Sequence, residues 1–427
     1  MTLLVAGICS RVPNNVHMKA LVVGLARSGR AAVHALNAQH TDVVAYDRST
    51  DLDVGGLAAD VRLGKWDDAA LDGVDLVVKS PGVPDASEPI AAARRRSIPV
   101  ISEIELGARL LTNPLVGITG TNGKTTTTAL LGAMFDAAGV PAEVVGNIGR
   151  PLTGLVGAVD PAAWVVCELS SFQLEGTESL CPRIAVLTNL EPDHLDRHGT
   201  FDAYAAAKLR VFRLQGPEDV AVVPIGFRAI PGLARRIEFA ADEPLPAEPL
   251  IPGAHNRENA AAATAAARAA GIPDDAIAEA LRTFPGVEHR IENVATVAGV
   301  RYVNDSKATN VAATLRALAS FPGARKLVIL GGRGKAEPYS PLAEAFAPED
   351  RAYVIGEATE AIAAALSRAG VVYDRCGDLL TAVAAAAGDA REGDVVLLSP
   401  ACASFDQFTS YEQRGQEFGK LVQKLQG

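Results

Sequence analysis

Short apolar runs alternate with longer alanine-rich stretches along most of the chain, and their spacing points to one fold class. Ala20 to Val23, Val43 to Tyr46 and Leu76 to Val78 are continuous apolar runs too short for helices, which predicts strands buried on both faces. Ser28 to Ala38 has helical spacing and lies between the first two, so this block reads as βαβ with a parallel sheet. A second series opens with a strand over Leu115 to Ile118, a glycine-rich turn and a helix starting near Lys124. It continues with strands over Trp164 to Cys167 and Ile184 to Leu187. Phe239 to Pro252, rich in proline and acidic residues, predicts irregular chain, and helical pattern returns over Asn256 to Ala270 and Asp274 to Thr283. A third series follows Pro285-Gly286, with strands over Val300 to Val303, Leu327 to Leu330, Tyr353 to Ile355 and Val395 to Leu398. The expected organisation is a leader of unknown order over 1–17 and three domains over 18–106, 107–286 and 287–427.

Composition narrows the function. Hydrophobic residues at 48% and charged residues at 21% suit a chain that folds throughout. A net charge of −10 excludes a general nucleic-acid or membrane-surface binder, so any anionic ligand must meet local positive charge. Five scattered cysteines without a CxxC pair favour neither a disulfide framework nor a zinc site, and suit buried thiols in a reducing cytosol. No apolar run approaches the ~20 residues of a membrane span, and residues 1–17 lack a basic start ahead of Leu3-Leu4-Val5-Ala6. A cytoplasmic protein is expected.

Gly120-Thr121-Asn122-Gly123-Lys124-Thr125-Thr126 falls between a strand and a helix, where backbone N–H groups and the helix dipole can wrap phosphates. Lys124 would neutralise β/γ-phosphate charge and Thr125 would offer a hydroxyl to magnesium. Ile118 stands where the general P-loop pattern has its first glycine, so the loop is a shortened variant. ATP is the expected ligand, although the loop by itself specifies no reaction. Glu168 follows the strand Trp164 to Cys167, where an acid can hold Mg²⁺ beside nucleotide phosphates. His194, in Glu191-Pro192-Asp193-His194-Leu195-Asp196, follows the next strand and comes to the same rim. Lys208 lies in a helical stretch, Tyr204 to Arg210, where it reads equally as a solvated charge.

Taken in order, Gly-Thr-Asn-Gly-Lys-Thr, Glu168-Leu-Ser-Ser-Phe-Gln, Asp193-His194-Leu-Asp and Ala-Ala-Lys208 resemble the Mur ligases. The resemblance covers roughly Met18 to Gly427. It implies a three-domain α/β enzyme: a Rossmann-like N-terminal domain, a central P-loop ATPase-like domain with a parallel sheet, and a Rossmann-like C-terminal domain. It also implies an ADP-forming amide ligase of peptidoglycan precursor synthesis, needing ATP and a pair of Mg²⁺ ions replaceable by Mn²⁺, and working as a monomer. Lys208 would carry a carbamate and join Thr125, Glu168 and His194 around metal, with Lys124, Glu168, His194 and Lys208 as the catalytic set. Asn256, otherwise an ordinary helix N-cap, and Asn259 would meet adenine. Arg290 would reach ATP, and Asp305 would lie near its ribose.

The outer motifs bear on the substrates. Gly24-Leu25-Ala26-Arg27-Ser28-Gly29 follows the first strand, with Asp47-Arg48 after the second, a spacing that alone would suit a dinucleotide. A UDP pyrophosphate fits the same geometry, and Ser80-Pro81-Gly82 adds a second turn at a strand end. The resemblance favours UDP, and adds Asn147 near the sugar nucleotide. In the third domain Lys307, Thr309, Lys335 and Ser404 offer two positive charges and two hydroxyls, which suits an amino acid with two carboxylates. The surrounding Asn-Asp-Ser-Lys-Ala-Thr-Asn and Ser-Pro-Ala-Cys-Ala-Ser-Phe-Asp-Gln-Phe resemble the branch that adds D-glutamate to UDP-N-acetylmuramoyl-L-alanine, with Phe405 and Tyr411 lining the glutamate side chain. A sister ligase adding another amino acid is the alternative. A P-loop regulatory ATPase would leave the third domain's lysines and hydroxyls unexplained, and a dehydrogenase would leave Gly120 to Thr125 without a task.

Overall fold

The computed structural model describes residues 18–147, 149–227, 229–334 and 337–426. The expected leader over 1–17 and Lys335 lie outside the described residues. Three sheets follow one another along the chain. The first holds β1 (Lys19–Val23), β2 (Asp42–Asp47), β3 (Asp60–Leu63), β4 (Leu76–Lys79) and β5 (Val100–Ser102), all parallel in the order β3-β2-β1-β4-β5. The second holds β6 (Leu115–Thr119), β7 (Ala142–Gly146), β8 (Trp164–Glu168), β9 (Ile184–Leu187), β10 (Val220–Pro224) and β11 (Arg235–Phe239), again all parallel, in the order β11-β10-β9-β6-β8-β7.

The third holds β12 (Glu292–Val297), β13 (Val300–Asn304), β14 (Lys326–Gly331), β15 (Arg351–Ile355), β16 (Val372–Gly377) and β17 (Val395–Leu398), in the order β12-β13-β17-β14-β15-β16. Here β12 pairs antiparallel with β13 across Ala298-Gly299, so this sheet is mixed. The protein is thus a three-domain α/β chain.

Continuous apolar strands follow from burial on both faces. In β1, Ala20 and Val22 pack with Ala32, Val33 and Leu36 of the helix Arg27–Ala38, while Leu21 and Val23 pack with Leu71 and Ile90 on the other side. In the third sheet, Val328 and Leu330 join one core, and Leu327 and Ile329 the other. Parallel order also creates switch points, where neighbouring strands lead to opposite faces and leave a crevice at their carboxyl ends. These crevices lie beyond β1 and β4 in the first sheet and around β6 in the second.

Contacts group the first two sheets, with residues 258–283, into one compact unit, and the third sheet, with residues 250–257, into another. Within the first unit the helix Glu103–Leu110 connects the two sheets. Glu105 is fully buried and accepts from Arg109 Nε at 2.7 Å, Glu178 N at 2.8 Å and Ser179 Oγ at 2.6 Å. Burial alone would raise its carboxyl; these donors more than offset that and hold it below the ordinary range. Among the described residues no helix is long and apolar enough to cross a membrane.

Candidate functional site

Beyond β6, Gly120 and Gly123 have φ of 147° and 79°, and both are crowded as well as strained. A Cβ on Gly120 would lie 1.9 Å from Thr188 Oγ1, and one on Gly123 would lie 2.0 Å from Asn259 Oδ1. Gly123 leads into the helix Lys124–Ala137 without a side-chain cap, so the first N–H groups of that helix point at the crevice. The loop is braced from behind. Asn122 N donates to Asn189 Oδ1 at 2.9 Å, Asn122 Nδ2 to Glu191 Oε2 at 2.9 Å, and Tyr204 Oη to Thr121 Oγ1 at 3.0 Å. Burial pushes the Tyr204 phenol up to about 12, which keeps it a donor. Thr125 is buried, and the buried Thr126 hydroxyl has no partner.

Two lysines converge on one carbonyl. Lys124 Nζ donates to Gly120 O at 3.0 Å and Thr121 O at 2.9 Å, and Lys208 Nζ donates to the same Gly120 O at 2.6 Å. Lys208 is only 2% exposed, so it is no solvated helix charge. Burial, then the nearby Lys124 charge, pulls its amine down to about 6, against the opposing pull of Asp193 and Glu168. Glu168, at the end of β8, is also buried. Its Oε1 accepts from Asn147 Nδ2 at 3.1 Å, while Oε2 has no partner. An orphaned buried carboxylate oxygen beside a phosphate loop fits a cation ligand. Among the described residues no three of His, Cys, Asp and Glu gather as a metal cluster, so an ion here must also draw on other donors. His194 is the most open of the set. It takes φ of 52°, its ring lies 4.9 Å from that of Phe172, and its Nε2 is 3.6 Å from Asp193 Oδ2.

Asn259 faces Gly123 from the helix Ala254–Ala269. Asn256 sits inside the first turn of that helix, with Nδ2 donating to Pro252 O at 2.6 Å, and is therefore not its N-cap.

At the first sheet's switch point, Ser80 Oγ donates to Gly24 O at 2.8 Å and joins the two predicted turns. A Cβ on Gly29 would lie 1.8 Å from Gly24 O, so only glycine lets the helix start this close to the loop. Ala26 cannot cap that helix, and the N–H groups near Arg27 and Ser28 are left for an anion. Asp47 is committed locally, accepting from Leu25 N at 2.7 Å and Ser49 N at 2.9 Å. Arg27 Nη1 donates to Gly149 O at 2.8 Å, two residues beyond Asn147. Pro81 O accepts from Arg197 at 3.1 Å.

In the second unit, Asp305 follows β13. Burial raises its carboxyl to about 7, although Ser399 Oγ donates to it at 2.7 Å and the Arg290 charge lies nearby. Lys307 Nζ is 5.7 Å from the Tyr411 ring centre, and Thr309 N bonds back to Lys307 O at 2.9 Å. Ser404 is buried, whereas Phe405 is 62% exposed. Sequence reasoning missed the residue that ties these segments together. Arg414, 1% exposed, donates from Nε to Ser306 Oγ at 2.9 Å and from Nη2 to Ser306 O at 2.8 Å and Cys402 O at 3.1 Å. It stands three positions after Tyr411, on the same helical face. The helix Phe201–Leu209 carries a comparable signal, since Tyr204 and Lys208, four residues apart, both reach the loop.

A phosphate loop at the switch point of a parallel sheet, with an α/β domain on either side in sequence, defines a three-domain α/β chain built around a P-loop domain. Sequence models described as Mur ligase MurD-like, N-terminal domain, Mur ligase middle domain, and Mur ligase, glutamate ligase domain match residues 18–102, 118–240 and 289–402. The chain belongs to the Mur ligase family. It is 46% identical to a UDP-N-acetylmuramoylalanine--D-glutamate ligase of Anaeromyxobacter dehalogenans, over 94% of this chain and 96% of that one. It is 43% identical to a protein of the same name from Acidobacterium capsulatum, over 95% and 96%. The fold is shared with UDP-N-acetylmuramate-alanine ligase MurC of Thermotoga maritima, at TM-score 0.60 and 20% identity over 96% of this chain and all of that one.

Proposed function

We propose that this chain joins D-glutamate to UDP-N-acetylmuramoyl-L-alanine in the cytoplasm, consuming ATP and releasing ADP and phosphate through an acyl phosphate. The observation that carries the chemistry is the convergence of Lys124 and Lys208 on Gly120 O, beside the unpartnered Oε2 of Glu168. The names of the relatives supply the substrates.

Lys124, at the mouth of the loop, is placed to swing from its carbonyl partners to the β/γ-phosphates as the nucleotide enters. Lys208, held neutral by burial, is in the form that takes up CO₂, and the carbamate would make it an anion. With Thr125, Glu168 and His194 it would then hold Mg²⁺, or Mn²⁺ in its place; the bound ions would neutralise charge as phosphate transfers. The uncapped helix after Ala26 and the turns at Gly24 and Ser80-Pro81-Gly82 would grip the UDP-substrate, with Arg27, Arg48, Asp47 and Asn147 around it. Asn256, Asn259, Arg290 and Asp305 would meet ATP. Lys307, Lys335, Thr309 and Ser404, with Phe405 and Tyr411, would take D-glutamate. The substrate carboxylate attacks the γ-phosphorus, ADP leaves, and the D-glutamate amine displaces phosphate from the acyl carbon. Positioning and charge neutralisation supply the catalysis.

The amino-acid choice is tested by incubating ATP, Mg²⁺ and UDP-N-acetylmuramoyl-L-alanine with single amino acids and following the amide product. D-glutamate should give product and meso-diaminopimelate none. Product with meso-diaminopimelate and none with D-glutamate would reassign the chain to a sister activity.

A further inference from the structure

Arg197 has no role in the ligase chemistry set out above, yet it bridges the first two sheets. Its Nη1 donates to Pro81 O at 3.1 Å, within the Ser80-Pro81-Gly82 turn of the first sheet. Its Nη2 lies 3.6 Å from Glu175 Oε2, and its guanidinium carbon lies 3.7 Å from the centre of the Phe172 ring. Phe172 and Glu175 belong to the short helix Ser171–Glu175, three residues beyond Glu168. That helix is fixed by a capping box between Ser170 and Gln173.

The far side of the bridge is equally built. Glu175 Oε1 lies 3.1 Å from His198 Nδ1, and His198 Nε2 lies 3.0 Å from Ser171 Oγ. The His198 ring stacks on Phe172 at 5.3 Å and 13°. Phe172 is thus in contact with Arg197, His198 and, edge-on, His194. A planar guanidinium can stack on a ring, pair with a carboxylate and donate to a carbonyl at the same time, which a lysine ammonium cannot.

We propose that Arg197 is a positioning residue that registers the Ser80-Pro81-Gly82 turn against the Glu168–Glu175 segment, and so sets where the sugar-nucleotide substrate lies relative to the phosphate loop. The proposal rests on reading that turn as part of the UDP-substrate site. Arg197 acts through Pro81 and Phe172 and need not touch any substrate. Its loss therefore weakens use of one substrate out of three, which a general folding defect would not do.

The test compares the wild-type chain with Arg197→Met, which keeps an apolar side chain against Phe172, and Arg197→Lys, which keeps the charge. Initial rates are measured while UDP-N-acetylmuramoyl-L-alanine, ATP and D-glutamate are varied in turn. In Arg197→Met the KM for the UDP-substrate should rise about tenfold, the loss expected when one charge-assisted hydrogen bond goes. The KM values for ATP and D-glutamate should stay within about twofold, and the midpoint of thermal unfolding should stay close to wild type. Arg197→Lys should fall between, and added guanidinium ion at millimolar concentration should recover part of the Arg197→Met loss. An unchanged KM for the UDP-substrate, or a parallel rise in all three, would overturn the proposal. A wild-type chain that does not use the UDP-substrate at all would instead overturn the reading of the turn.

Discussion

Lys208→Ala is expected to cut the D-glutamate-dependent release of ADP by about 10²–10³-fold, the usual cost of removing one group that stabilises transition-state charge. The expectation comes from the environment of Lys208. The side chain is buried, its amine lies at about 6, and it sits against Gly120 O with Lys124 as its neighbour. A buried amine that is mostly neutral at pH 7 adds little positive charge to a phosphate site, so a merely electrostatic role for the ammonium is a poor fit. A carbamate on the same nitrogen supplies a carboxylate-like anion near Glu168. Formate or acetate added to Lys208→Ala should therefore restore part of the rate, while ammonium salts should not. Full activity in the variant would rule out an essential carbamate.

The second large effect concerns Arg414. Its guanidinium ends on Ser306, Cys402 and, at 3.4 Å, Gly331 O and Ala403 O, so it ties the segment before Lys307 to the segment before Ser404. Burial pulls it down to about 10, still far above neutral pH, so it remains charged. Arg414→Met removes the guanidinium donor from buried Ser306 O and Cys402 O, while Ala403 O keeps the Arg333 N–H, at a cost on the order of 3 kcal/mol. Urea unfolding should register that loss. The KM for D-glutamate should rise at least tenfold while the KM for the UDP-substrate holds. Equal changes in both KM values would argue against a glutamate site between Lys307 and Ser404.

What the sequence made legible follows burial. Strands β1, β6, β8, β9, β14 and β17 carry mainly apolar runs because both faces are covered, and those runs stand out. Edge strands β3, β7, β11, β12 and β16 are half-exposed and mix polar with apolar residues, so Asp60 to Leu63 or Arg235 to Phe239 carries little strand signal. Val220 to Pro224 is interior and apolar, and could have been read. The phosphate loop was visible because glycines are demanded by crowding at Gly120 and Gly123. Its supports, Asn189, Glu191 and Tyr204, were not, because they reach the loop from about 70 to 80 positions away in sequence. Arg197 escaped for the same reason, since nothing local marks an arginine as bridging, and for Arg414 the only local cue is its i,i+3 spacing from Tyr411. Asp47 suited a dinucleotide by spacing; its carboxylate accepts from Leu25 N in the glycine loop and from Ser49 N in its own turn, a pairing that spacing does not reveal.

In the proposed reaction, phosphate passes to the substrate carboxylate before the amide forms. The direct measurement starts with UDP-N-acetylmuramoyl-L-alanine labelled with ¹⁸O in its alanyl carboxylate, together with ATP, Mg²⁺ and D-glutamate, and reads the isotope content of the products by mass spectrometry. One labelled oxygen in the released phosphate, for each D-glutamate joined, is the predicted result. Amide formation with unlabelled phosphate would contradict it.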